Sequence, residues 1–116
     1  MLFRSSQQRE GLISPVWESG DTDTWAPSGA TFVTRGPWSG SLVFTGLAGE
    51  SLYRLIFDPD DPTRPRTLER YLVHQYGRLR DVAEGPDGAL YLITSNRDGY
   101  GDAGTEDDRL LRVIVR

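Results

Sequence analysis

One stretch of this chain recurs within it. Gly40-Ser41-Leu42-Val43-Phe44-Thr45, followed by Ser51-Leu52-Tyr53-Arg54-Leu55-Ile56-Phe57, returns as Gly88-Ala89-Leu90-Tyr91-Leu92-Ile93 followed by Arg109-Leu110-Leu111-Arg112-Val113-Ile114-Val115. Leu42 matches Leu90, Leu52 matches Leu110 and Arg54 matches Arg112, and the second copy carries ten extra residues between its two runs. Each run is short, rich in Val, Ile, Leu, Tyr and Phe, and bounded by Gly, Pro, Asp or Ser, which is the signature of a β-strand. A turn–strand–turn–strand unit that returns after 48 to 58 residues lies near the period of a β-propeller blade.

The rest of the sequence extends this pattern. Strands are expected at 30–34, 41–46, 51–58, 67–73, 78–84, 89–94 and 109–115. Pro27-Ser28-Gly29, Gly36-Pro37, Pro86-Asp87-Gly88 and Arg97-Asp98-Gly99 supply turns that need the freedom of Gly or the fixed φ of Pro. The acidic stretch 58–65 holds three prolines, which lack the N–H of a ladder, and it is expected to be a loop. The fold class is therefore all-β: two antiparallel blades of a propeller, about 15–76 and 77–116, the second lacking its outermost strand. Residues 1–14 form an N-terminal segment, disordered or an edge strand. Two blades cannot close a ring, which takes about four or more. Exposed blade faces and an open edge call for further blades, self-association, or cover of that edge by the segment before Pro15 or a neighbouring molecule.

Composition removes whole classes of chemistry. The 116 residues leave room for one domain. The chain contains no cysteine, so disulfides, thiolate metal sites and cysteine nucleophiles are excluded. Lysine is also absent, which excludes Schiff-base chemistry and phosphate-loop lysines. A single histidine, His74, cannot make a site that needs two imidazoles. A formal net charge of −4 argues against a nucleic-acid partner. No apolar run is long enough for a spanning helix, and residues 1–10 turn polar too soon for a signal-peptide core.

Four ordered segments then resemble one family. Pro15-Val16-Trp17-Glu18 with 25–32, the run Leu47-Ala48-Gly49-Glu50-Ser51-Leu52-Tyr53-Arg54-Leu55, the run 77–91, and 94–101 with 107–112 resemble the C-terminal blades of the soluble glucose/sorbosone dehydrogenases. The resemblance covers about residues 11–116. It implies a six-bladed propeller that binds pyrroloquinoline quinone (PQQ), oxidises a sugar and is commonly periplasmic or secreted. It further implies that Arg78 and Arg80 contact the cofactor. Two departures accompany it. Ala48 stands where the family often carries a basic residue that helps to hold the quinone. The family's catalytic histidine lies in an early blade that has no counterpart here, so no catalytic residue is assigned and the chain is expected to be inactive alone.

The residues carry their own readings beside that resemblance. Arg78 and Arg80 are two apart on an expected strand, so both side chains leave one face about 7 Å apart. They are either a solvated or channel-lining pair, or a fork for carboxylates and a flat support for a π-system. Asp81 is expected on the opposite face, pairing with a turn amide or orienting Arg54 or Arg112. His74 is expected to be an ordinary surface or edge histidine. The run 96–102 has oxygens at alternating positions, as calcium loops do, but lacks the distal bidentate Glu; it is expected to be a hairpin loop held by Asx turns. No metal ligand is assigned, although the parent family binds calcium in earlier blades. Trp17, Trp25 and Trp38 are core residues or a sugar platform, with Trp25 the one nearest an expected channel mouth. Two functions remain open: the C-terminal part of a PQQ-dependent sugar dehydrogenase, or a non-catalytic propeller module that self-associates.

Overall fold

The structure, a computed structural model, describes residues 13–116. Among the described residues, seven strands are arranged in two antiparallel sheets. β1 (Pro27–Phe32), β2 (Leu42–Gly46), β3 (Ser51–Asp58) and β4 (Asp61–Tyr71) form the first sheet in that order. β5 (Leu79–Glu84), β6 (Leu90–Thr94) and β7 (Leu110–Val113) form the second. The described residues contain no α-helix, only a short 3-10 turn at Gly36–Trp38.

The two repeats become hairpins: β2–β3 in the middle of the first sheet, and β6–β7 as the second and third strands of the second. β2 pairs with β3, matching Leu42 to Leu55 and Phe44 to Tyr53. β6 pairs with β7, matching Leu90 to Val113 and Leu92 to Leu111. Period-two alternation is clean in β6, where Leu90, Leu92 and Thr94 are buried and Tyr91 and Ile93 are not. β3 is instead buried on both faces over Ser51–Tyr53, as suits a strand in the middle of a sheet.

The sheets meet through one core. Val33, Val43 and Leu52 come from the first sheet and its turn, and Leu79, Val82, Leu90 and Leu92 from the second. Each such side chain contributes about 1.5–3 kcal/mol when fully withdrawn from water. The inner strands β1 and β5 run side by side in the same direction. Gly29 abuts Asp81 near their starts, and the Thr34 and Arg35 amides donate to Glu84 just past their ends. A Cβ at Gly29 would lie 2.7 Å from the Asp81 Cα, so only glycine permits this approach.

Two expectations are corrected. The stretch 58–65 is not a loop throughout: only Pro59 and Asp60 turn, and β4 begins at Asp61. Prolines are tolerated there because β4 is an outer strand, and because register shifts at Phe57 absorb the missing donors. Strict alternation also fails in β5. A bulge between Leu79 and Asp81 buries Leu79 and Val82, three apart, and leaves Arg80 and Asp81 both exposed.

In the second sheet no described residue pairs with the outer side of β7. The N-terminal segment expected to cover it lies, through residue 12, outside the described residues.

Candidate functional site

β5 and the long β6–β7 loop build the candidate site together. Leu79 pairs with Thr94, so the residues after Thr94 fall beside those at the start of β5. The Arg78 carbonyl accepts the Ser95 N–H at 2.9 Å, and the Arg78 N–H donates to Asn96 Oδ1 at 2.8 Å. Asn96 is buried and knots the loop: its side-chain amide donates to the Tyr76 carbonyl, and its N–H donates to Asp108 Oδ1. Gly77 passes so close to Asn96, at φ +77°, that a side chain there would strike it.

The two candidate arginines converge. Arg78 Nε reaches Asp98 Oδ2 at 3.2 Å and Arg80 Nη2 reaches the same oxygen at 3.5 Å. Ser95 Oγ donates to that oxygen at 3.1 Å and accepts from Arg80 Nη2 at 3.0 Å. The other Asp98 oxygen accepts the Tyr100 N–H at 2.9 Å. That backbone bond, with the Ser95 and Arg78 bonds, holds the Asp98 carboxyl below the ordinary carboxylate range, against a smaller opposing effect of burial. Arg78 also lies 5.7 Å from the centre of the Tyr100 ring. Its side chain is 15% exposed and that of Arg80 46%, so Arg80 presents its unused donors to solvent.

Other expected residues take ordinary positions. Asp81 meets neither Arg54 nor Arg112. Its Oδ1 accepts the Val82 N–H, while Arg54 bonds Ser41 and Glu69, and Arg112 bonds Asp87. His74 is exposed and pairs with Glu50 at 3.0 Å, beside a cleft of about 340 Å³ between the β2–β3 turn and the β6–β7 loop. Trp25 packs against Phe44 and Tyr53, each 5.2 Å away between ring centres, and donates to Asp23. Trp38 packs on Tyr71 beneath the Arg54 guanidinium, and Trp17 is 39% exposed. Within 96–102, Asn96 and Asp98 are committed to the contacts above. Asp107 and Asp108 accept backbone N–H groups of the same loop. The loop is a framework of side-chain-to-backbone bonds.

Because β1 and β5 run the same way, Trp25 before β1 and Arg78 before β5 lie at one end of the inner strands. The β2–β3 turn with exposed Ala48 joins them there, since Gly46 pairs with Pro27. Sequence reasoning missed the shared carboxylate, Asp98. Its signal was present in the hairpin register, which sets 95–98 against 78–80, but that register depends on a pairing the residues alone do not number.

A family model described as Glucose / Sorbosone dehydrogenase matches residues 2–111. The chain belongs to the glucose/sorbosone dehydrogenase family. Among solved structures, this chain is similar to the PQQ-bound aldose sugar dehydrogenase of Streptomyces coelicolor, with 39% identity and a TM-score of 0.74 over 90% of this chain and 29% of that one. It is also similar to a putative oxidoreductase (glucose dehydrogenase) of Thermus thermophilus, with 35% identity and a TM-score of 0.77 over 92% of this chain and 30% of the other. An uncharacterized Synechocystis protein is 29% identical over 78% of this chain and 21% of its own length. The chain thus spans about a fifth of that curated relative and under a third of these structures. The two sheets are propeller blades of this dehydrogenase type.

Proposed function

We propose that these two blades form part of the cofactor pocket of a PQQ-dependent sugar dehydrogenase, with Arg78 and Arg80 as the cofactor-binding pair. The observation that carries this reading is the convergence of both guanidiniums at the start of an inner strand, with Arg80 half exposed. The donor set suits the group. PQQ is a planar tricarboxylate, and a guanidinium has five N–H donors of which these two use few within the chain. Arg78 and Arg80 would bind its carboxylates and lie against its plane.

When bound, PQQ supplies a two-electron acceptor for oxidation of a sugar alcohol. The chain's own residues would hold and orient. Trp25, half-buried at the same end, would offer the rest of its ring to the sugar. Proton removal from the sugar needs a general base, and His74, paired with Glu50 on the cleft, is no candidate. Ala48 offers no charge to the quinone. Activity therefore requires blades other than these two, and the chain alone is expected to be inactive. Calcium, where it serves the pocket, would be bound by those other blades.

A titration of the chain with PQQ and calcium tests this reading. Saturable binding that disappears in Arg78→Ala/Arg80→Ala is expected; binding indifferent to that double substitution would sink it.

A second reading, a non-catalytic module that self-associates, draws on the outer faces. Phe32 is 59% exposed beside Phe57 on one flank, and Ile93 and Leu110 are 40% and 69% exposed on the other. Three such pairs would make six blades. Sedimentation that finds a compact monomer argues against it.

A further inference from the structure

We infer that Asp98 is the positioning residue of the arginine pair: one carboxylate oxygen fixes both guanidiniums, and so sets their grip on a planar polycarboxylate. The inference rests on the cofactor reading above for its ligand, but its geometry stands on this chain alone.

Two arginines on one face repel, and each carries considerable rotamer freedom. Without a shared anchor Arg80, the more exposed of the two, would be free to turn away from Arg78 into water. Asp98 Oδ2 lies within 3.2 Å of Arg78 Nε and 3.5 Å of Arg80 Nη2, and its side chain is only 18% exposed. Ser95 Oγ closes the ring between Arg80 and Asp98. Asp98 Oδ1 is tied to the Tyr100 backbone, so the anchor is itself anchored. Its rotamer is not free to follow a ligand.

The division of donors gives the device its use. Arg78 gives Asp98 its Nε–H, which leaves its terminal amino groups free of it. Arg80 gives Nη2 to Ser95 and Asp98, which leaves Nε and Nη1. The aspartate thus takes one corner of each fork and leaves others for carboxylates elsewhere. It also lowers the cluster's net charge to +1. The cost in attraction for an anion is offset by two guanidiniums that no longer need ordering on binding.

Asp98→Asn separates these effects, because it keeps size and can still accept the Tyr100 N–H. In the cofactor-free chain, heteronuclear NMR reads the Nε–H resonance of Arg78 and the Nη–H resonances of Arg80, the groups that reach Asp98. Both should shift in Asp98→Asn with the thermal midpoint little changed, and affinity for PQQ with calcium should fall about tenfold, with partial recovery in Asp98→Glu. Unmoved arginine resonances overturn the inference whatever PQQ does. Shifted resonances with equal or tighter PQQ binding overturn it as well, provided Arg78→Ala/Arg80→Ala weakens binding. If neither that double variant nor Asp98→Asn alters PQQ binding, the cofactor reading fails, and the arginine resonances still decide whether Asp98 positions the pair.

Discussion

Glu84 at the end of β5 holds Thr34 of the neighbouring sheet through both of its oxygens. The Thr34 N–H donates to Oε2 at 2.9 Å and to Oε1 at 3.1 Å, and the Thr34 hydroxyl donates to Oε1 at 2.6 Å. The Arg35 N–H adds a fourth contact at 3.2 Å. Two strand ends that belong to different sheets are thereby joined by one carboxylate.

The clamp predicts an acid-sensitive junction. The Thr34 hydroxyl and amide, with Arg35, hold the Glu84 carboxyl below its usual value of 4.5. A carboxylate depressed on folding stabilises the folded state above its unfolded pKa, and that contribution is lost as pH falls through the folded value. Glu84→Ala should lower the thermal midpoint at neutral pH and flatten its decline below pH 4.5. Glu84→Gln, which keeps an acceptor, should lose less. An unchanged midpoint in Glu84→Ala would show that the contact is incidental.

Gly29 makes a sharper prediction about the same junction. A methyl added there meets the backbone of Asp81 at 2.7 Å, and backbone cannot rotate away. Gly29→Ala should destabilise the fold by about 1–3 kcal/mol or more, as over-packing does, read as a drop in the urea midpoint. Gly20→Ala, at a site with open space but φ +85°, separates steric from conformational cost. Equal losses at both positions would refute the close approach.

Much of this architecture was legible in the sequence, and the parts that were not share a cause. The paired hairpins of Leu42 and Leu90 follow from alternation and turn chemistry, both local. The strand start at Asp61 and the bulge at Arg80 do not, because each depends on what lies across the sheet. Pro62 is admissible only since β4 is outermost, and the chain does not announce which strand that will be. Arg78 and Arg80 could be singled out because their spacing is local. Asp98 could not, because its position opposite them is set by the Leu79–Thr94 register. Asp81 follows the same bulge, where counting in twos no longer assigns a face.

The turn after β5 supplies a second acid-dependent contact. Asp87 Oδ2 accepts from Arg112 Nη2 at 2.9 Å, from Arg112 Nε at 3.0 Å and from the Tyr91 hydroxyl at 2.9 Å. The Arg112 bonds, then those of Tyr91 and the Ala89 N–H, lower its pKa from 3.8 to about 2. Its stabilising contribution is complete above pH 3.8 and fades toward pH 2. Asp87→Asn should therefore be less stable than the unsubstituted chain at pH 5 and converge with it near pH 2. Parallel urea midpoints across that range would contradict the pairing.

Tyr53 yields the prediction with the opposite sign. Its ring is 1% exposed and stacks on Phe44 at 4.9 Å, with the Arg70 guanidinium 5.3 Å from its centre. Its hydroxyl is buried and makes no hydrogen bond of good geometry among the described residues, although Ser51 and Arg70 lie near it. Burial raises the phenol's pKa, and the positive charge of Arg70 opposes that rise. Burying a hydroxyl without a partner costs about 1–3 kcal/mol, while the ring's packing would survive its removal. Tyr53→Phe should accordingly be neutral or more stable by up to about 1 kcal/mol, read from the thermal midpoint. Tyr53→Leu, which keeps apolar character but abandons the stack with Phe44 and the contact with Trp25, should lose stability. A loss in Tyr53→Phe as large as that in Tyr53→Leu would mean that the hydroxyl, and not the ring, holds this part of the blade.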